Sequence, residues 1–257
     1  MSEIIFIISL IIIAGFLYPM FRKRKRLLLP GEKVQQKLLN KHVVFYQRLQ
    51  EAEKKRFLEN IKSFLQTTRI TGVKTPVEDL DRVFVAAAAI IPIFGFKGWS
   101  YRNIHEVLLY PGSFDNAYRQ EGDGRNIMGM VGTGPLQNVM ILSRPDLREG
   151  FLNQEDKSNT AIHEFVHLID KTDGSTDGIP EILLKNKYVI PWLKRIREEI
   201  EQINKGRSDI NPYGATNEAE FFAVAAEYFF EQPGMMKEKH PELYDLLELG
   251  FAGKVEG

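Results

Sequence analysis

Hydrophobic and polar positions divide the chain into a short apolar beginning and a long amphipathic remainder. Residues 4–21 are uncharged and mostly apolar, and the five basic residues Arg22–Arg26 follow them. Eighteen residues of helix extend about 27 Å, close to the hydrocarbon thickness of a bilayer. The pattern predicts one transmembrane helix, with residues 1–30 as anchor and juxtamembrane segment and residues 31–257 as the folded domain.

A cleavable signal peptide is the competing interpretation of this start. Signal peptides carry positive charge before the apolar run, whereas here it follows, and no A-x-A-like cleavage site is evident. We therefore favour an anchor. Because positive charge marks the cytoplasmic side of a membrane segment, a single-pass protein with its domain facing the cytoplasm is expected.

Beyond the anchor, the periodicity predicts a mostly helical α+β domain with a small β-sheet. Residues 32–68 and 189–204 carry apolar positions at helical spacing, and Pro241–Phe251 adds a short amphipathic helix. The sequence Thr75-Pro76-Val77-Glu78 resembles a capped helix start and predicts a helix through Ile91. Its alanine run 86–89 should be buried and should pack on the helix of residues 158–170.

Strands are expected near residues 106–111 and 127–142. The apolar runs 127–131 and 138–142 flank Gly132-Thr133-Gly134-Pro135, so they predict a β-hairpin. An extended peptide can add itself to the open edge of such a hairpin through backbone hydrogen bonds.

Composition excludes some classes of protein. Of 34 basic and 34 acidic residues, residues 1–26 contribute five and one, so the remaining domain has a net charge of about minus four. Nucleic-acid binding therefore has no support, and the basic cluster is better explained by membrane topology and anionic lipid headgroups. The absence of cysteine excludes disulfides and thiolate metal ligands.

The segment His163–His167 has the pattern H-E-x-x-H, and residues 158–170 contain no Pro or Gly, which predicts one continuous helix. Imidazoles four residues apart lie on one helix face and can share a zinc ion, and Glu164 can reach a water bound to that ion. The structural alternative is a helix with two hydrogen-bonded histidines and a solvated glutamate.

A catalytic zinc site needs a third protein ligand and an open position for water. On the predicted helix of residues 217–230, Glu220 and Glu227 lie on nearly the same side of an otherwise apolar surface. Glu220 is the first choice, and Glu227 is the alternative or an acceptor that orients a zinc-bound imidazole. His240 precedes a proline and is disfavoured as the third ligand. Glu218 is expected at the surface, near the N-terminus of the helix.

These segments resemble the Mlc titration factor A family of zinc peptidases, which is itself similar to the catalytic domain of anthrax lethal factor. The resemblance covers about residues 32–250. It rests on the motif HEFVH with Asp170 three residues later, and on three further segments: Glu106–Phe114, Asp177–Pro180 and Tyr213–Phe230.

The resemblance implies a zincin-like metallopeptidase domain with one zinc ion per chain, held by His163, His167 and Glu220. It also implies Glu164 as the catalytic base and Tyr213 as a phenol that donates a hydrogen bond to the oxyanion. Without the resemblance, Tyr213 would be interpreted as a buried aromatic after a turn.

The combined prediction is a membrane-anchored zinc peptidase that acts on peptide or protein substrates. Asp170 either lies behind a zinc ligand or belongs to a structural ion pair. The alternative function is a membrane-tethered protein that captures a cytoplasmic regulator with little hydrolysis, but a structural zinc site has no need of a base such as Glu164. We do not expect the family's partnership with a glucose-uptake repressor for this chain, because the chain begins with a predicted anchor.

Overall fold

A computed structural model describes residues 30–122, 124–153, 156–180 and 186–252. The predicted membrane helix of residues 4–21 lies outside these ranges. Within them, no helix combines the length and the apolar character needed to cross a bilayer.

The described residues form a mostly helical α+β fold with one four-stranded sheet, as predicted. Its elements follow the chain in this order: α1 (Glu32–His42), α2 (Val44–Arg48), α3 (Glu51–Thr67), β1 (Arg69–Gly72), α4 (Asp79–Ile93), β2 (Glu106–Tyr110), β3 (Gly129–Val131), β4 (Val139–Ser143), α5 (Arg144–Leu152), α6 (Thr160–Asp170), α7 (Asn186–Asn204), α8 (Glu218–Glu231), α9 (Pro233–Lys239) and α10 (Pro241–Phe251).

The sheet has the strand order β1-β2-β4-β3. The pairs β1/β2 and β2/β4 are parallel, whereas β3 runs antiparallel to β4. The predicted hairpin across residues 127–142 is therefore confirmed. Its first strand, β3, lies at an edge of the sheet among the described strands, so none of those strands pairs with its outer side.

Helix α6 lies in the middle of the fold, because it contacts α4, α5, α8, β3 and β4. Its apolar face is fully buried, and Phe165 meets Phe64 and Tyr101 at ring-centroid distances of 5.7 and 5.3 Å. The alanine run 86–89 is fully buried on α4, which packs on α6 as predicted. A helix this enclosed holds its polar side chains in fixed positions.

The predicted start of α4 at Thr75 was wrong. Glu78 is the N-cap, and its backbone N–H donates to Asp81 Oδ2 at 2.8 Å. Asp81 is fully buried and accepts from Arg144 Nε at 3.0 Å and Arg148 Nε at 2.7 Å. Because both arginines lie more than sixty residues away along the chain, the local sequence around Thr75 could not show which residue begins the helix.

Candidate metal centre

The H-E-x-x-H segment lies on α6, which begins within two residues of its predicted start and ends as predicted. Asn159 is the N-cap, and its side chain accepts from the Ile162 backbone N–H at 3.2 Å. His163 and Glu164 are buried, at 8% and 6% exposure. The helix therefore presents these polar side chains to an enclosed space where unpaired charge is costly.

His163, His167 and Glu220 converge on one point. The Nε2 atoms of the two histidines lie 3.1 Å apart, and Glu220 Oε2 lies 3.0 Å from His163 Nε2 and 3.4 Å from His167 Nε2. The three candidate ligand atoms all lie within 4.8 Å of one another. Two imidazole nitrogens and one carboxylate oxygen facing each other at this distance fit a single cation, and the donor set is one that zinc accepts.

Glu227 lies behind this cluster. Its Oε1 is 2.7 Å from His163 Nδ1, while its Oε2 accepts from the Asn159 backbone N–H at 2.5 Å and from Ser158 Oγ at 3.2 Å. A carboxylate that faces Nδ1 favours the imidazole tautomer protonated on Nδ1. In this tautomer the lone pair of Nε2 is free to bind a metal ion. The two glutamates of α8 therefore have different contacts: Glu220 faces Nε2 of His163, whereas Glu227 faces its Nδ1.

The electrostatics of the cluster favour positive charge between its carboxylates. Burial alone would lower the pKa of His163, but hydrogen bonds with Glu220 and Glu227 outweigh it and raise that pKa to about 10. Burial would raise the pKa of Glu220, but hydrogen bonds from His163 and His167 outweigh it and lower that pKa to about 2. A bound cation would take the place of this positive charge.

Glu164 is not one of the three converging donors, and its side chain meets the edge strand. A Cβ on Gly129 would lie 2.8 Å from Glu164 Cγ and Oε1 and 2.8 Å from Thr160 Cγ2, so β3 passes directly against this carboxyl group. Burial raises the pKa of Glu164, and the neighbouring His163 and His167 oppose that shift. Sequence reasoning missed Gly129, although a glycine inside a strand is a recognised sign of close approach.

Tyr213 lies at the rim of the cluster. It belongs to a 3₁₀ turn over Pro212–Ala215, and its ring centroid is 6.0 Å from that of His163. Burial, followed by the carboxylates of Glu220 and Glu164, raises the pKa of its phenol. Since 54% of Tyr213 is exposed, it is not the buried aromatic of the alternative interpretation.

The remaining candidates lie elsewhere. His240 contacts Glu199 Oε2 at 3.1 Å and Asp209 Oδ1 at 2.8 Å, in a separate ionic cluster, and Glu218 is exposed as expected. Asp170 is fully buried and makes no ion pair with a described residue. Instead, its Oδ2 accepts from the Gly178 backbone N–H at 2.9 Å, and burial raises its pKa to about 6.

Comparisons with known proteins agree with the resemblance seen in the sequence. The family described as Glucose-regulated metallo-peptidase M90 matches residues 20–252. The chain is 28% identical over 223 residues to an uncharacterised protein of Synechocystis sp., which covers 82% of this chain and 81% of that protein.

Two similar proteins bear the name Mlc titration factor A. That of Pectobacterium atrosepticum is 28% identical over 176 residues, or 62% of this chain and 63% of its own length. The protein of Escherichia fergusonii is 29% identical over 205 residues, which cover 75% of this chain and 76% of that protein. The matched region thus spans less than two thirds of the P. atrosepticum protein.

Proposed function

We propose that this chain, which belongs to the glucose-regulated metallo-peptidase M90 family, is a zinc-dependent peptidase. The observation that carries the proposal is the convergence of His163 Nε2, His167 Nε2 and Glu220 Oε2, together with the buried Glu164 that follows His163 on the same helix. Three protein ligands leave a fourth position for water, as in catalytic and not structural zinc sites. The absence of cysteine leaves imidazole and carboxylate as the strong ligands of the chain.

Each polar side chain of the centre has a role in this proposal. His163, His167 and Glu220 would hold a zinc ion, which would polarise the scissile carbonyl and make a water nucleophile available at neutral pH. Glu164 would take a proton from the attacking water and deliver it to the leaving amine. Tyr213 donates a hydrogen bond from its phenol to the oxyanion.

The edge strand β3 suggests how a substrate would lie. The Met128 carbonyl accepts from a backbone N–H of β4 at 2.7 Å, and the Gly132 backbone N–H donates to a carbonyl of β4 at 2.8 Å. Because the direction of the backbone groups alternates along a strand, those of Gly129 and Val131 point away from β4, towards the edge of the sheet. An extended peptide that pairs with these two residues would pass beside Glu164, because Gly129 lies against that side chain. We infer an unfolded or extended polypeptide as the substrate class.

The first test is whether hydrolysis and metal content rise and fall together. We expect the purified full-length chain to contain one zinc ion, to hydrolyse an unfolded polypeptide, to lose that activity with a chelator and to regain it with zinc. Elemental analysis and appearance of new amino termini measure the two quantities. A chain that stays metal-free in excess zinc, or that hydrolyses equally well after complete chelation, would overturn the proposal.

Gly129→Ala is expected to reduce the rate of hydrolysis by about 10²-fold, because a displacement of about 1 Å at a catalytic group has that cost. The added methyl would meet Glu164 at 2.8 Å and move it. The control is Gly112→Ala, where a Cβ meets nothing within 4 Å. Initial rates, zinc content and melting temperature would be measured for both variants. Equal rates in both would show that this contact does not position Glu164.

We also propose that residues 4–21 tether the domain to the cytoplasmic face of a membrane. The support is the length of the apolar run and the basic cluster that follows it. In cells, the full-length chain should stay with membranes after an alkaline wash, and protease added to sealed vesicles of known orientation should cut the domain only from the cytoplasmic side. Release of the intact chain by the wash would rule out the tether.

A further inference from the structure

Two buried polar atoms near the end of α6 lack a hydrogen-bond partner within the described part of the chain. One is His167 Nδ1 and the other is Asp170 Oδ1. The other unpartnered buried atoms of the described residues belong to Tyr46, Asn103 and Gln120, none of which lies on α6. A buried polar atom without a partner is costly, so a pair of them three residues apart on one helix requires an explanation.

Metal binding would place a specific demand on His167. When Nε2 of an imidazole binds a metal ion, the ring carries its proton on Nδ1, and that N–H needs an acceptor when it is buried. His163 already has such an acceptor, since its Nδ1 lies 2.7 Å from Glu227 Oε1. His167 has none among the described residues, although its Nδ1 is equally inaccessible to water.

We propose that Asp170 is the positioning residue of His167, with Oδ1 accepting the Nδ1–H of this imidazole when Nε2 binds the metal. This inference rests on the proposed metal site. A single hydrogen bond would satisfy both unpartnered atoms at once. Each imidazole of the centre would then have its own carboxylate, Glu227 for His163 and Asp170 for His167, and neither carboxylate would bind the metal itself.

The carboxylate of Asp170 is well fixed for this role. Its other oxygen, Oδ2, accepts from the Gly178 backbone N–H at 2.9 Å. Gly178 is itself held, because its carbonyl accepts from Trp192 Nε1 at 2.7 Å and a Cβ at this position would lie 2.4 Å from the Glu218 carbonyl oxygen. An acceptor held on one side by a buried backbone keeps its free oxygen in place for the histidine.

Asp170→Asn tests the inference, because the amide can replace only one of the two acceptor oxygens. If its oxygen accepts from Gly178, its NH₂ group faces His167 and favours the tautomer protonated on Nε2, which cannot bind a metal ion. If the amide turns around, two donors meet at Gly178. Loss of such an outer partner typically lowers metal affinity by about 10- to 100-fold, and we expect a loss in that range.

The matched control is Asp177→Asn, which removes the same charge from the neighbouring loop, where Asp177 Oδ1 accepts from the Ile179 backbone N–H at 3.0 Å. Zinc affinity of the full-length chains would be measured by competition with a chromophoric chelator. Melting of the zinc-free forms would show whether the two variants fold alike. The control should keep the affinity of the wild type.

A second measurement needs no variant. In the zinc-loaded wild type, ¹⁵N-edited NMR of the histidine rings should show a proton on His167 Nδ1 that is hydrogen-bonded and slow to exchange. Wild-type affinity in Asp170→Asn, or a His167 Nδ1 proton that exchanges freely, would overturn this inference alone. Failure of the wild type to bind zinc would overturn the proposed function, and this inference with it.

Discussion

Glu164→Gln is expected to lower the rate of peptide hydrolysis by about 10²- to 10⁴-fold, the usual contribution of a general acid–base group, while zinc content stays at one per chain. Glutamine has the shape of glutamate but cannot accept a proton from water. Glu164 is not among the three converging donors, so its loss should leave metal binding nearly intact. The variant should also be no less stable, because a buried carboxylate is exchanged for a neutral amide.

The control for this variant is Glu218→Gln, which makes the same chemical change at an exposed position two residues before Glu220. Initial rates on an unfolded polypeptide, zinc content and thermal melting would be compared in the three proteins. Loss of activity together with loss of zinc would assign Glu164 to metal binding. Full activity in Glu164→Gln would exclude it as the base and refute the mechanism.

The arrangement of α6 could be predicted from the sequence because it depends on local geometry. A helical period of 3.6 residues puts His163 and His167 on one face and places Phe165 on another, and the structure has both features. Helical spacing alone does not separate Glu220, the first choice for the third ligand, from Glu227, since a separation of seven residues keeps both on one side of α8. Only the way in which α8 meets α6 decides which carboxylate faces Nε2 and which faces Nδ1.

The features that were missed depend on contacts between distant parts of the chain. Strand β1 has four residues and ends in a glycine, and it pairs with β2 only after the whole of α4, so no local pattern marked it. Gly129 gave a weak local signal, but its contact with Glu164 exists only because β3 lies across α6. The start of α4 likewise depends on Arg144 and Arg148.

Helices α6 and α8 are joined at both ends of the metal centre. At one end, Glu227 accepts from His163 and from the Asn159 backbone N–H. At the other end, Asp170 accepts a hydrogen bond from the Gly178 backbone N–H. Gly178 packs against the carbonyl of Glu218, two residues before Glu220. The third proposed ligand is therefore presented by a helix whose position is fixed relative to the histidines, so that little ordering remains to be done when a metal ion binds.

Glu220→Ala is expected to lower zinc affinity by more than the 10- to 100-fold typical of an outer partner, because it removes a ligand itself. It also leaves the two imidazoles without the carboxylate that lies 3.0 and 3.4 Å from their Nε2 atoms. Hydrolysis should fall with the bound zinc and should return only partly when zinc is in large excess. The measurements are zinc affinity by chelator competition and initial rate as a function of free zinc.

Glu227→Gln separates the two roles that the sequence left open for the glutamates of α8. Its amide oxygen can still accept from His163 Nδ1, but its NH₂ group then faces the Asn159 backbone N–H, so the loss of affinity should stay within about 10- to 100-fold. The order of zinc affinity should be wild type, then Glu227→Gln, then Glu220→Ala. If Glu220→Ala kept one tightly bound zinc while Glu227→Gln lost it, the ligand would be Glu227, and the helices would have to meet differently once the metal is bound.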